Sequence, residues 1–146
     1  TAHNDQPWHF TVVQNRKILD DMNQKAKKEM AKSDVDWIRN WGSDPAYDIA
    51  YHAPTLIIVS GRKDGMAWRV DCAAAIQNML IAAESLHIGS VWLGLMNYYL
   101  QQEAAQKSLE IPEGYLPFYA VAFGYKADEK TKAGPRRVRD VVNYIR

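Results

Sequence analysis

One segment of this sequence carries so little side-chain bulk that, as a helix, it has to pack closely against its neighbours on several sides. In RVDCAAAIQNMLIAAESLH, residues 69–87, alanine stands at five positions and most other residues are apolar. Asp71, Asn78 and Ser85 recur every seven residues and therefore form one narrow polar stripe on a helix. A helix that is apolar over most of its surface is typical of an interior. Gly89 follows, which suits the left-handed residue that ends such a helix.

Apolar runs on both sides of this segment predict a sheet for it to pack on. TLIIVS, residues 55–60, is a short continuous apolar run and indicates a strand buried on both faces at the sheet centre. Further strands are predicted at residues 8–14, 90–94 and 117–125. This loose alternation of strands and helices predicts a mixed α/β or α+β layer architecture, in a single domain over residues 1–146.

A second helix is predicted over residues 16–32. Its apolar residues recur every four positions and are expected to face the core: Ile18, Met22, Ala26 and Met30. Four lysines stand in the second half of this segment: Lys25, Lys27, Lys28 and Lys32. Acidic residues interleave with them and no aromatic platform accompanies them, so a solvated face is favoured over a nucleic-acid patch.

The overall charge balance excludes broad classes of partner. With 18 basic and 17 acidic residues the formal net charge is +1, which supplies no global field for nucleic acid or an anionic membrane. There is one cysteine, no apolar run long enough to span a membrane and no signal-peptide pattern. We therefore expect a cytoplasmic protein with no nucleic-acid and no membrane partner.

Most catalytic templates fail on this sequence. It has no Gly-x-Ser-x-Gly elbow, no Walker loop and no Gly-x-Gly-x-x-Gly after a strand. The four histidines are scattered, with no His-x-x-x-His or Cys-x-x-Cys pair, so no metal site is expected. Cys72 lies among alanines on the apolar helix, where a thiol is expected to be an inert small hydrophobe. No side chain is predicted to be catalytic.

For three local features, the sequence allows both a functional and a structural interpretation. The basic residues around Gly134 and Pro135 suit either a phosphate site or a solvated loop: Lys132, Arg136, Arg137 and Arg139. Trp37 and Trp41 share one face of a short helix, as an edge plug or as a mobile cover over an aromatic ligand. The segments TAHNDQPW and SVWLGL place backbone amides at sheet ends, where flat heteroaromatic ligands are held.

Four ordered motifs of this chain together resemble the nitroreductase family of FMN-dependent oxidoreductases. They are NDQPWHF, residues 4–10; HAP leading into TLIIVSG, residues 52–61; DCAAAIQNMLIAAESLHIGSVWLG, residues 71–94; and IPEGYLPFYAVAFGY, residues 111–125. The match covers nearly the whole chain.

The resemblance implies an α+β fold with a central mixed β-sheet flanked by helices. It also implies an intertwined homodimer with two FMN sites at the subunit interface. The helix at 69–87 then corresponds to the family's long central helix between subunits, and the apolar tail VVNYIR is expected to dock on the partner. Family members open with a helix and an Arg-rich motif for FMN, and no such segment precedes Thr1 in this sequence. We expect the native polypeptide to carry one.

Carried over position by position, the resemblance implies these cofactor contacts. Thr1, Ala2 and Asn4 match the segment that reaches FMN bound mainly by the other subunit, and Gln6 helps to shape it. Trp92, Leu93 and Gly94 match the loop whose backbone lies against the flavin ring. Arg136, with Arg137 as substitute, matches the residue that grips the phosphate. Trp37 and Trp41 fall in the expected substrate cover.

The implied activity is hydride transfer from NADH or NADPH, through flavin N5, to a small electron-poor acceptor such as a nitroaromatic or a quinone. Two alternatives remain open from the sequence. One is a specialised flavin enzyme of the same fold, dehalogenase-like or flavin-fragmenting. The other is a non-catalytic flavin-binding module.

Overall fold

A computed structural model describes residues 1–127, 134–135, 137–138 and 141–145 of the chain. After a short 3-10 turn at Ala2–Asn4, the elements follow in this order: β1 Trp8–Val13, α1 Arg16–Met30, α2 Asp36–Ser43, β2 Thr55–Arg62, α3 Trp68–Ser85, β3 Ile88–Leu93, α4 Asn97–Leu100, α5 Glu103–Ser108 and β4 Tyr115–Tyr125. None of the helices in this described part is long and apolar enough to cross a membrane.

The four strands form one sheet in the order β1-β2-β4-β3. The strand predicted at the sheet centre is indeed internal, between β1 and β4. The α+β class is confirmed. The expected mixture of parallel and antiparallel strands is not seen in the described ranges, where β1–β2, β2–β4 and β3–β4 all pair antiparallel.

The two faces of the sheet bury different cores because successive strand residues point to opposite sides. Leu56 and Ile58 of β2 pack with α1, α4 and α5 in the larger core. Val59 of β2 and Val121 of β4 pack with Trp68, Cys72 and Ile76 of α3 on the other face. Helices therefore cover both sides of the β2–β4 pair.

Helix α1 begins at a capping residue and turns a slightly different face inward than its four-residue repeat predicts. The Asn15 side chain accepts hydrogen bonds from the backbone N–H groups of Lys17 and Ile18, which are otherwise unpaired in the first turn. Ile18, expected in the core, is 43% exposed, and Leu19 is buried instead. A strict period of four drifts around a helix of 3.6 residues per turn, so the first position of the series leaves the buried face.

Among the residues that the structure describes, helix α3 is covered by the sheet on one side only. Trp68, Cys72 and Ile76 face the sheet, whereas Val70 and Ile81 are 70% and 60% exposed. The close packing predicted on several sides is thus met on one side. The chain then reverses at His87, whose φ is 58°, two residues before the glycine that was expected to end the helix.

The packing around the end of the sheet corrects the prediction for Gly89. Gly89 lies in β3, where an added Cβ would come 3.2 Å from the Gly124 carbonyl oxygen, so its small size serves the sheet and not the helix end. The apolar tail, predicted to dock on the partner, is exposed on the single chain in its described residues, with Val141, Val142 and Ile145 between 61% and 94% exposed. Its docking on a second chain stays a prediction.

Helix α2 rests backbone to backbone on the end of α1. A Cβ added to Gly42 would lie 2.5 Å from the amide nitrogen of Ala31 and 2.8 Å from the carbonyl oxygen of Lys27. Only a residue without a side chain permits this approach. The position of α2, and of every side chain it carries, is therefore fixed against α1 at Gly42.

Replacing Gly42 with alanine is expected to destabilise the protein by about 1–3 kcal/mol, because the new methyl group must push two backbones apart. Urea unfolding followed by circular dichroism measures the change. The matched control is Asn40→Ala on the exposed side of the same helix, expected to stay within about 0.5 kcal/mol of the parent. A Gly42→Ala protein as stable as the parent would show that the close contact is not there.

Candidate functional site

An aromatic cluster stands on α2 and the loop that follows it. The ring centroids of Trp37 and Trp41 lie 5.1 Å apart in an edge-to-face contact, so the two residues share a face as predicted. The Tyr47 ring stacks on Trp41 with centroids 4.8 Å apart and an angle of 29° between planes. Both arrangements are favoured geometries for aromatic pairs, so these three rings form one continuous wall.

This wall encloses a cavity together with the end of β3. The cavity holds about 330 Å³ and is lined on one side by Trp37, Trp41 and Tyr47, and on the other by the segment from Trp92 to Leu95. The nearest members of the two sets, Tyr47 and Trp92, stand 45 positions apart in the sequence. The structure thus brings the expected substrate cover beside the expected flavin loop.

The cavity suits a flat, uncharged ligand. None of its described lining residues carries a charge. Burial and, to a smaller extent, the neighbouring Tyr51 raise the pKa of the Tyr47 hydroxyl to about 12, so Tyr47 stays protonated and can donate a hydrogen bond. An added Cβ on Gly94 would meet no heavy atom within 4 Å, so the backbone there faces open space. A planar ring can approach the chain closely at that point.

Aromatic rings continue from the cavity along the α3 side of the sheet. The Trp92 centroid lies 5.3 Å from that of Tyr119 and 6.1 Å from that of Phe118. The register between β2 and β4 shifts at Val59, and both Phe118 and Tyr119 pack against the α3 core despite being neighbours in sequence. Sequence reasoning missed these two residues. Pro117, which cannot donate to a strand ladder, was the available sign of such an irregularity.

The first six residues form a tightly held loop with a costly backbone. His3, Asn4 and Gln6 all have positive φ, between 47° and 56°, a conformation that non-glycine residues adopt only when their surroundings impose it. The side-chain amide of Gln6 donates to Asn4 Oδ1 at 2.8 Å, and the guanidinium of Arg62 donates to the Asp5 carboxylate at 2.5 Å. The loop is therefore preorganised, with its amide side chains at the surface.

This loop and the Trp92–Gly94 segment are not brought together within one chain. The loop leads into β1 and contacts Asp71 at the start of α3, where the amide nitrogen of Ala2 lies 3.4 Å from Asp71 Oδ1. Trp92 belongs to β3, at the opposite edge of the sheet. With β2 and β4 between them, β1 and β3 are about 14 Å apart. Arg137 is exposed, and Arg136 lies outside the described residues.

Cys72 is buried and is not poised for nucleophilic chemistry. It is fully buried against β2, with its Sγ 3.5 Å from the Ser60 carbonyl oxygen. Burial and the nearby Asp71 carboxylate raise the pKa of its thiol to about 11. In the described part of the chain, no group of three or more His, Cys, Asp or Glu residues could hold a metal ion.

Comparison with known proteins gives consistent matches. The sequence model of the nitroreductase family matches residues 1–125. A protein named NADH dehydrogenase/NAD(P)H nitroreductase from Archaeoglobus fulgidus is 33% identical over 135 residues, covering 89% of this chain and 67% of the relative. One of the same name from Methanothermobacter thermautotrophicus is 32% identical, covering 88% of this chain and 60% of the relative. The matches therefore span about two thirds of the length of these curated relatives.

Solved structures agree with the sequence matches. A nitroreductase with bound FMN from Bacteroides fragilis is 36% identical, with a TM-score of 0.84, covering 99% of this chain and 79% of that one. Another with bound FMN, from Desulfitobacterium hafniense, is 25% identical, with a TM-score of 0.85, covering 100% of this chain and 79% of that one.

The burial of Cys72 predicts a thiol that reacts slowly in the native protein. At pH 8 a pKa of about 11 leaves a thiolate fraction roughly a hundredfold below that of an ordinary cysteine. Labelling with Ellman's reagent measures the rate, and the protein unfolded in guanidinium serves as the control with full reactivity. Native labelling as fast as that of the unfolded chain would contradict the buried position.

Proposed function

We propose, on the basis that the chain belongs to the nitroreductase family, that it binds FMN and acts as an oxidoreductase using NADH or NADPH. The single observation that carries the proposal is the shared cavity of the aromatic wall and the Trp92–Gly94 segment. FMN is present in the two solved nitroreductases of similar fold. Bound FMN would supply two-electron chemistry, accepting hydride at N5 and passing electrons to an acceptor.

The residues present fit a flavin ring. The open space before Gly94 admits a planar group, and the residues beside it on the β3 side of the cavity, Trp92, Leu93 and Leu95, carry no charge. In this proposal the backbone of Trp92, Leu93 and Gly94 lies along the ring and orients it. Arg136, or Arg137 in its place, holds the phosphate through charge-assisted hydrogen bonds.

A second copy of the chain completes the site in this proposal. Thr1, Ala2, Asn4 and Gln6 lie at the β1 side of the sheet, too far from Trp92 to serve the same ring within one chain. Helix α3 offers the surface for association, because its outer side is rich in alanine and exposes Val70 and Ile81. We therefore propose a homodimer in which each subunit offers its first residues to the other's cofactor.

The acceptor in this proposal is a small, uncharged, electron-poor aromatic molecule such as a nitroaromatic or a quinone. Trp37, Trp41 and Tyr47 provide flat surfaces for stacking, and the Tyr47 and Tyr51 hydroxyls can donate to nitro or carbonyl oxygens. The close contact at Gly42 favours a fixed wall over the mobile cover considered from the sequence. The cytoplasmic location stays a prediction.

Absorbance spectroscopy tests the proposal. Protein incubated with FMN should bind about one FMN per chain and show the absorbance bands of flavin. These bands should bleach when NADH or NADPH is added in the absence of oxygen. Replacing Arg136 and Arg137 together with alanine should weaken FMN binding at least about tenfold. The control Lys107→Ala, an exposed lysine on α5, should leave binding unchanged.

Three results would contradict the proposal in different ways. Protein that remains colourless after incubation with FMN would exclude the flavin site altogether. Protein that holds FMN but shows no bleaching with either nucleotide would favour the non-catalytic flavin-binding module. A double arginine variant with parental FMN affinity would show that the phosphate site lies elsewhere.

A further inference from the structure

Lys27 reaches from α1 to the loop that carries one ring of the aromatic wall. Its ammonium Nζ donates to the carbonyl oxygen of Asp44 at 2.5 Å and to that of Tyr47 at 2.8 Å. The sequence pattern assigned this lysine to a solvated face; the residue is half-buried, and its bonds to two carbonyl groups were not predicted. Its helical neighbours Lys25 and Lys32 do pair with acidic side chains at the surface, Asp21 and Glu29.

These two hydrogen bonds hold both ends of the turn that positions Tyr47. Asp44 follows the last residue of α2, where carbonyl groups lack helical partners and attract a cation. Tyr47 is the residue whose ring stacks on Trp41. The loop between them carries its own bonds, from the Ala46 amide to Asp44 Oδ1 and from the Tyr47 amide to Asp44 O. Lys27 ties this whole turn to α1.

A second contact fixes the other half of the wall to the same helix. Gly42, next to Trp41, lies against the α1 backbone at Lys27 and Ala31. Trp41 is thus held by the Gly42 contact and Tyr47 by the Lys27 ammonium. Both rings of the stack are positioned from one turn of α1.

We propose that Lys27 is a positioning residue for the acceptor, which holds Tyr47 against Trp41 so that the wall is preformed before a planar aromatic molecule binds. This inference rests on the proposed function for its kinetic consequence, but its structural half is independent of FMN. Because the wall is preformed, the free energy of acceptor binding is not reduced by the entropy cost of ordering the Tyr47 loop. Without the ammonium, the Tyr47 carbonyl group loses this donor and the Asp44 carbonyl group keeps only the Tyr47 amide, so the turn is no longer tied to α1 and the stack opens.

The kinetic test compares Lys27→Met, which keeps the length of the side chain but cannot donate, with Lys27→Arg, which can. Lys27→Met is expected to raise KM for 1,4-naphthoquinone about tenfold with little change in kcat. Lys27→Arg should restore most of the difference. FMN affinity, flavin reduction by NADH, and turnover with ferricyanide, which needs no stacking surface, should all remain at parental values.

A matched control and a cofactor-free readout complete the design. Lys28→Met removes an exposed lysine from the next position on α1 and should leave every quantity unchanged. Near-ultraviolet circular dichroism of the protein without FMN reports the coupled aromatic rings. The near-ultraviolet signal that disappears in Tyr47→Leu should also disappear in Lys27→Met. If Lys27→Met fails to fold, Lys27→Gln, which is too short to reach both carbonyls, replaces it.

The outcomes separate this inference from the proposed function. A parent protein that binds no FMN overturns the proposed function, while the dichroism comparison still decides the role of Lys27. A parent that is active, with Lys27→Met equal to it in KM for the quinone and in dichroism, overturns the inference alone. An equal loss of quinone and ferricyanide turnover would also overturn it, because it would show a general structural role.

Discussion

The pairing of β2 with β4 is the constraint on which the rest of the structure depends. Both strands are internal, and Leu56, Ile58 and Val59 of β2 are fully buried. Apolar side chains therefore leave this pair on both faces, and each face needs a cover of helices. Helix α3 covers one face, and α1, α4 and α5 cover the other. The two edge strands, β1 and β3, are left at the margins, where the candidate cofactor contacts lie.

The distance between the two edge strands determines how the site can be assembled. One chain presents an amide-rich loop at β1 and an aromatic cavity at β3, and the width of the sheet keeps them apart. A homodimer, as proposed, would bring the loop of one chain to the cavity of the other. The exposed outer side of α3 would be buried by the same association. One surface would then stabilise the assembly and complete the site.

The fold could be predicted from the sequence because its signals are local. Hydrophobic periodicity placed every strand and the two long helices to within about two residues. The errors arose where packing overrides local pattern, as at His87, which turns the chain in place of Gly89. The site was predictable only in parts. Trp41 and Trp92 were each singled out, but their meeting in one cavity, and the reach of Lys27 to Tyr47, depend on tertiary contacts that no local pattern encodes.

We propose that a planar acceptor binds in the aromatic cavity beside a flavin, and the transfer of electrons from reduced flavin to such an acceptor tests this most directly. FMN-loaded protein, bleached with NADH, is mixed with nitrobenzene in a stopped-flow instrument without oxygen, and the recovery of flavin absorbance is followed. The rate of recovery is expected to saturate with nitrobenzene concentration, and in Trp41→Leu a higher nitrobenzene concentration should be needed to reach half of the maximal rate. A rate that rises linearly without limit, and equally in both proteins, would contradict it.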